Sequence, residues 1–358
     1  MVRVTVHVVA RPTRGEAAAD IGWIDAILAR VDRYTIDRLS IGDVQGNHLE
    51  CFSALGYAAA RTNRVGLGPL VTNAATRDVG VLAAAAASLD AMSRGRAFLV
   101  LGRGDGVAHN LDLAAHTVDE TAEAIVALRA LLREGRCDYR GRRISLPWPG
   151  YPGERIPIYA AAGGPRMLRM AAAVCDGVYA ATGCGEEDVR VALAAVAGVD
   201  RATPLDMWWV TRFGIGDSFE DAVMAASEGL SSIGNHALRG NYAERGVPED
   251  LWQPLGEYHR RYRYARKNPL AAGTSGSDVA AESPGPSNVD LMNELGLREY
   301  FIERFGIVGT PEQVVERLRE LERRGVHSVT MLANSAHELD LIGSRVLPKL
   351  APSTSDLA

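Results

Sequence analysis

The sequence predicts an α/β chain folded as a (β/α)8 TIM barrel with an insertion after strand seven. Short β-branched runs recur along the chain, each continuously apolar as in strands covered on both faces. Helix-period segments separate those runs, and a single long stretch breaks the alternation. The strands are expected at 2–9, 38–41, 65–71, 97–101, 156–161, 177–181, 205–211 and 326–332. The helices are expected at 17–33, 49–62, 78–92, 118–133, 165–174, 186–197, 219–230, 311–324 and 336–350. One helix start is signalled in full, because Thr310, Pro311 and Gln313 supply the cap, the first-turn proline and the returning side chain of a capping box. The preceding FGIVG reads as a short approach segment. A doubly wound sheet is the architecture that alternation alone leaves open.

Residues 1–350 are expected to form one barrel domain, interrupted by an insertion at 234–288. That stretch opens with aromatic and basic residues, EYHRRYRYARKNP. It continues as AAGTSGSDVAAESPGPS, a composition that cannot support a core and predicts a flexible loop over 271–287. The tail 351–358 is expected to be disordered.

With 358 residues, 47% of them hydrophobic, the chain can bury a large core. A formal charge of -5, from 39 basic and 44 acidic residues, offers no basic stripe for a phosphate backbone, so nucleic acid is not an expected partner. Cys51, Cys137, Cys175 and Cys184 show no CxxC spacing and read as free thiols in a reducing cytoplasm. The opening MVRVTVHVVARPTRG lacks the apolar run of a signal peptide, and the run at 79–89 is too short to span a bilayer, so a membrane is not expected either. No histidine or cysteine cluster has metal-ligand spacing, and GxSxG is absent, which leaves metal and triad chemistry unsupported.

The stretch IPIYAAAGGPRML poses the functional question. In a barrel the functional loops follow the strands, so AAGGP lies where strand five hands over to its helix. Gly163 and Gly164 remove side chains from the turn, Pro165 starts the helix without wasting a donor, and the helix dipole adds positive charge. That combination makes a phosphate site. Tight packing of the turn is the other reason for such glycines, and a lone GGP does not separate the two.

The run RVGLGPLVTNAATRDVGVLAAAAASLDAMSRGRAFLVLGRGDG resembles the signature of the bacterial-luciferase-like superfamily of flavin and deazaflavin (coenzyme F420) oxidoreductases. IPIYAAAGGPRMLRMAAAVCDGVYAA resembles that family's fifth and sixth strands, and RFGIVGTPEQVVERLRELERRGVHSV its closing unit. SIGNH and RYRYARKNP look most like the subgroup related to methylenetetrahydromethanopterin reductase. The resemblance implies a phosphate site at Ala162, Gly163, Gly164, Pro165, Arg166 and Met167, completed by Thr182 and Gly183. It also implies a bulge with a non-prolyl cis peptide at Leu70 and Val71, followed by Thr72 and Asn73, pressing on the cofactor ring.

Strand two ends in IGDVQGNHLE. Reductases of the family carry an Asp here, often followed by His; this chain has Asp43 but Val44 in the second position. Asp43 is the expected catalytic acid, since an acid at a strand's C-terminal end is costly to bury without a partner. Gln45 and His48 are the nearest substitutes for the missing histidine, His48 as a second catalytic candidate and Gln45 toward substrate. GRGDG lacks the spacing of a dinucleotide fingerprint. The resemblance places Arg103 and Gly104 at the cofactor and Asp105 beside the ring as acid, base or hydrogen-bond partner, whereas a plain turn would also use Asp between glycines. His7 ends strand one and is a substrate candidate, as are Asn235 and His236 at the start of the expected insertion. One of Trp208 and Trp209 is expected to face the cofactor and the other to pack.

These residues and the resemblance lead to an expected function: a coenzyme F420-dependent oxidoreductase passing a hydride between the deazaflavin C5 and a small organic substrate. One alternative is an FMN-dependent monooxygenase fed by a flavin reductase partner, and another a flavin-binding protein without catalysis. The resemblance further implies a homodimer.

Overall fold

The computed structural model describes residues 2–8, 22–34, 36–45, 49–105, 111–146, 156–263, 287–333 and 335–350. All the expected runs become strands of one sheet: β1 (Arg3–Val8), β2 (Arg38–Ile41), β3 (Gly66–Pro69), β4 (Leu99–Leu101), β7 (Ile158–Ala162), β8 (Gly177–Ala180), β9 (Asp206–Val210) and β12 (Ser328–Leu332). Their order is β3-β2-β1-β12-β9-β8-β7-β4, every pairing is parallel, and parallel bridges Leu67↔Ala97 and Thr72↔Leu101 join β3 to β4. The sheet therefore closes into a barrel, and the doubly wound alternative falls.

Alternation along the strands explains the two layers. Val4, Val6 and Val8 of β1 join the shell packed under the helices, while Arg3, Thr5 and His7 point to the axis, where they meet Asp206, Tyr179 and Ser40. The N-terminal end of the axis is plugged. Arg38 lies over the rings of Phe98, Tyr159 and Trp208 at 4.8, 4.6 and 4.4 Å and donates to the hydroxyls of Tyr159 (2.5 Å) and Tyr179 (3.2 Å). Tyr179 stacks on Trp208 at 5.7 Å. Asp206 accepts from Arg3, Arg38, Tyr159 and Trp208.

Burial would raise the Asp206 carboxyl, but hydrogen bonds from Arg3, Trp208 and Tyr159 outweigh it and hold the group below its ordinary 3.8. A folded value below the unfolded one contributes stability that is present at neutral pH and lost as pH falls through the carboxylate range. Melting temperature should therefore drop more steeply from pH 5 to about pH 3 in the native protein than in Asp206→Asn; parallel curves would remove Asp206 from acid unfolding.

The α-helices in chain order among the described residues are α1 (Gly22–Arg33), α2 (Cys51–Arg61), α3 (Val79–Ser93), α4 (Val118–Glu134), α5 (Pro165–Val174), α6 (Glu186–Ala197), α7 (Phe219–Ala237), α8 (Trp252–Arg261), α9 (Asn288–Glu294), α10 (Arg298–Phe305), α11 (Pro311–Arg323), α12 (Ala336–Leu341) and α13 (Leu347–Leu350). The capping box expected at Thr310 is present, with Gln313 Oε1 accepting from the Thr310 N–H at 2.9 Å. All four cysteines are free. Among the described residues no helix is long and apolar enough to cross a membrane, and no cluster fit to hold a metal ion occurs.

The region after strand seven differs from the expectation. FGIVG is not an approach segment: β11 (Gly306–Gly309) pairs in parallel with β10 (Arg212–Ile215), which follows β9 directly. Gly234, Asn235 and His236 do not begin the insertion; they lie in the last turns of α7, which runs seven residues past the expected end at 230 to Ala237. The excursion packs its own core of Leu230, Leu255, Tyr258, Met292, Phe301 and Phe305. Ser287, placed at the end of the expected loop, caps α9; the rest of that loop and the tail lie outside the described residues. A hairpin of β5 (Arg136–Tyr139) and β6 (Arg142–Ser145) went unforeseen.

Candidate active site

Among the described residues, the barrel's C-terminal end is open where its other end is plugged. Axis-facing residues at the strand ends, His7, Val71, Ala161, Ala181, Val210 and Leu332, are all part-exposed, whereas Tyr179 and Trp208 beneath them are fully buried. Both tryptophans are withdrawn from this mouth: Trp208 belongs to the plug, and Trp209 to the shell under the helices. The expectation that one ring faces the cofactor is thus not met, because alternation sends one ring below the mouth and the other outward.

One side of the mouth is built on the ends of strands two to four. The peptide between Leu70 and Val71 is cis, as the resemblance implies. Asp43 is buried and accepts from Thr72 Oγ1 (2.7 Å), Arg77 Nε (2.7 Å), Arg77 Nη2 (2.7 Å) and Gln45 Nε2 (3.2 Å). Arg77 also reaches Glu50 at 2.7 Å and lies over Phe52. The hydrogen bond to Asp43 is the largest influence holding the Arg77 guanidinium above its ordinary value. Asp43 is thus the hub of a fixed network and ties β2 to the residue after the bulge. Sequence reasoning missed Arg77; the signal lay in TNAATRD, where a cation follows the strand end within reach of an expected buried acid.

Replacing Arg77 with Met leaves a buried carboxyl without its bidentate partner. The expected loss is about 3 kcal/mol of stability, read as a fall in the urea midpoint. A midpoint unchanged by the substitution would show that Asp43 does not depend on Arg77.

GRGDG packs against the bulge. A Cβ on Gly102 would lie 2.9 Å from Val71 Cγ2, and Gly104, at φ 89°, would place one 2.9 Å from Asn73 Oδ1. Arg103 donates through Nε to the His116 carbonyl (2.7 Å) and meets Asp105 at 3.4 Å. Asp105 is exposed at the strand end. Beside Thr76 Oγ1, two amide atoms here are buried without partners among the described residues: Asn73 Nδ2 and Gln45 Oε1. Each belongs to an amide fixed at its other end, Asn73 by the Thr76 N–H and Gln45 by Asp43. A spare amide donor and a spare amide acceptor are, by their chemistry, the counterparts of C=O and N–H, the groups at the pyrimidinedione end of a flavin or deazaflavin.

Across the mouth, β7 ends at Ala162 and α5 starts after Gly164. Gly164 is extended, and no side chain caps the helix. A Cβ on Gly163 or Gly164 would meet nothing within 4 Å, so packing does not demand glycine at either position. The main-chain N–H groups of Arg166 and Met167, in the first turn after Pro165, are thus without a capping side chain. Ala162 and Met167 are buried, Ala162 in the shell under the helices. The Arg166 side chain is exposed and turns to Asp119 at 3.9 Å. Thr182 is part-buried, and Gly183, at φ 116°, leaves room for the Asp188 carboxylate.

His7 stands at the inner mouth, its Nδ1 at 3.0 Å from Ser40 Oγ. Asn235 is buried in α7 with its Oδ1 held by Arg239, and His236 is exposed. His48 lies outside the described residues.

A barrel mouth with an uncapped helix start on one rim and a bulged strand end on the other defines a class: (β/α)8 proteins whose functional groups gather at the C-terminal ends of the strands. The luciferase-like monooxygenase family model matches residues 2–328, and the chain belongs to that family. The 5,10-methylenetetrahydromethanopterin reductase of Archaeoglobus fulgidus is 26% identical over 317 residues, covering 85% of this chain and 89% of that one. The phthiodiolone/phenolphthiodiolone dimycocerosates ketoreductase of Mycobacterium tuberculosis is 26% identical over 296 residues, covering 76% and 71%. In fold, the coenzyme F420-dependent tetrahydromethanopterin reductase of Methanopyrus kandleri superposes with TM-score 0.70 at 22% identity over 98% of this chain and 99% of that one. The oxygenating constituent of the 3,6-diketocamphane monooxygenase of Pseudomonas putida, in complex with FMN, gives 0.61 at 16% identity over 98% and 99%.

Proposed function

We propose that the protein is a deazaflavin-dependent oxidoreductase that passes a hydride to or from a small organic substrate at the barrel mouth. The carrying observation is the uncapped turn at Gly163–Gly164, where a Cβ on either glycine would meet nothing within 4 Å among the described residues, next to the first main-chain N–H groups of α5. The unpaired Asn73 Nδ2 and Gln45 Oε1 across the mouth add the complement of a ring edge. Relatives that are a reductase and a ketoreductase favour hydride transfer over oxygenation.

When bound, the coenzyme supplies the hydride at C5. The chain's part is to grip, orient and protonate. The amides after Gly164, with Thr182 and Gly183, hold the phosphate; the Leu70–Val71 bulge and Arg103–Gly104 bear on the ring. Asp43 already accepts from four donors, so its work is to fix Thr72 and Gln45. Asp105, exposed at the rim and paired among the described residues with Arg103 at 3.4 Å, is the proposed carboxyl for proton exchange with substrate and solvent. His7, Gln45 and the α7 pair Asn235 and His236 are the proposed substrate contacts. Val81 and Met92, exposed on α3, give the homodimer an apolar face, which sedimentation would detect.

The test is anaerobic and aerobic titration with deazaflavin and FMN, each followed by a panel of nitro, enone, imine and ketone acceptors. Deazaflavin binding with acceptor-dependent oxidation is the expected result. Oxygen uptake with reduced FMN would replace the proposal with monooxygenation, and binding without turnover would leave a passive carrier.

A further inference from the structure

We propose that Arg245, carried by the insertion, is the cation that recognises the phosphate ester of the cofactor. The inference rests on the cofactor reading above and adds a side chain to a turn so far argued from main-chain groups alone.

Arg245 lies between α7 and α8 and is part-buried. Nε donates to the Arg239 carbonyl at 2.7 Å, and Nη1 donates to the carbonyls of Ala237 (2.7 Å) and Gly163 (3.0 Å). Three main-chain oxygens thus fix the fork against the turn that precedes α5, while Nη2 keeps its hydrogens free of any partner among the described residues. No carboxylate pairs with this guanidinium there either. Burial and then the neighbouring Arg304 lower the Arg245 guanidinium below its ordinary value, against a smaller upward pull from Glu244. The α5 N-terminus adds the positive end of its dipole. A part-buried cation without a counter-ion, bonded to the carbonyl beside an uncapped helix start, is completed by an anion.

Arg304 is differently employed. It is 7% exposed, pairs with Asp188 at 2.6 Å, and donates to the carbonyls of Arg245 (2.5 Å) and Gly246 (3.4 Å). Its own carbonyl accepts the Cys184 N–H at 2.7 Å, and its Nε remains buried without a partner. A continuous strap therefore runs from Gly163 through Arg245 and Arg304 to Asp188, whose carboxylate abuts Gly183. The insertion holds both loops of the phosphate site, and Arg245 is the part-buried charged end of that strap.

The experiment compares riboflavin, FMN and deazaflavin binding by fluorescence in the native protein, Arg245→Met and Arg245→Lys, with thermal shifts by inorganic pyrophosphate alongside. In Arg245→Met the phosphate-bearing ligands should weaken about 10- to 50-fold and riboflavin less than about 2-fold, with part of the loss recovered in Arg245→Lys. Equal weakening of all three, or no weakening, would overturn the assignment, since Arg245 would then only shape the loop or do nothing. If no ring ligand binds the native protein but pyrophosphate stabilises it and not Arg245→Met, the cofactor reading fails and the anion site stands. Pyrophosphate stabilising both proteins equally in that case would defeat Arg245 too.

Discussion

Replacing Gly164 with aspartate should cost the protein about 100-fold in affinity for a phosphate-bearing cofactor while leaving its stability within about 0.5 kcal/mol of the native value. The two halves of that expectation come from one piece of geometry. Gly164 stands at the N-cap of α5 in extended backbone, with open space where a side chain would go. Aspartate is a preferred N-cap, and it bonds the second and third N–H groups of a helix. Folding is therefore indifferent or slightly favoured, while the carboxylate takes the amides a phosphate needs and repels its charge. Thermal melting and ligand titration of one variant read both effects. A variant that melts early would mean the turn is a packing device; a stable variant that binds normally would mean that phosphate sits elsewhere.

The second large effect lies at the opposite end of the axis. Arg38→Met should lower stability by about 2–4 kcal/mol, since it removes hydrogen bonds to two buried phenols and a part-buried carboxylate together with a cation held over three rings. Urea unfolding measures it. Binding of any cofactor by the folded fraction should stay unchanged, because the plug lies below the mouth. A stable Arg38→Met with altered binding would show that the plug shapes the mouth and does not merely close the barrel.

That division between a stabilising base and a functional rim was partly legible in the sequence. Continuous apolar runs gave the positions of the strands because a barrel strand is covered on both faces, and Thr310-Pro311-Glu312-Gln313 gave a helix start because capping is local chemistry. The β10–β11 pair was not legible: it joins residues such as Phe213 and Ile307, and nothing near either announces the partner. The insertion's core was hidden for the same reason, since Tyr258 and Phe301 meet only in three dimensions. At the mouth, AAGGP advertised an open turn because two adjacent glycines and a proline are a local signature. Asp43 could be singled out as a buried acid, while Arg77 showed only as a cation following the strand end in TNAATRD, and that partner turns Asp43 from a free acid into a fixed hub. Arg245 was invisible because its connection to Gly163 spans 82 positions. What sequence shows is what neighbouring residues impose on one another; what it conceals here is which distant cation faces which turn.

The most direct measurement is a crystal structure of the complex with the deazaflavin. The phosphate should lie within hydrogen-bond distance of the Arg166 and Met167 N–H groups, and the ring against the Leu70–Val71 bulge. A phosphate bound away from that turn, for instance in the groove lined by Val126 and Tyr139 between α4 and the β5–β6 hairpin, would contradict it.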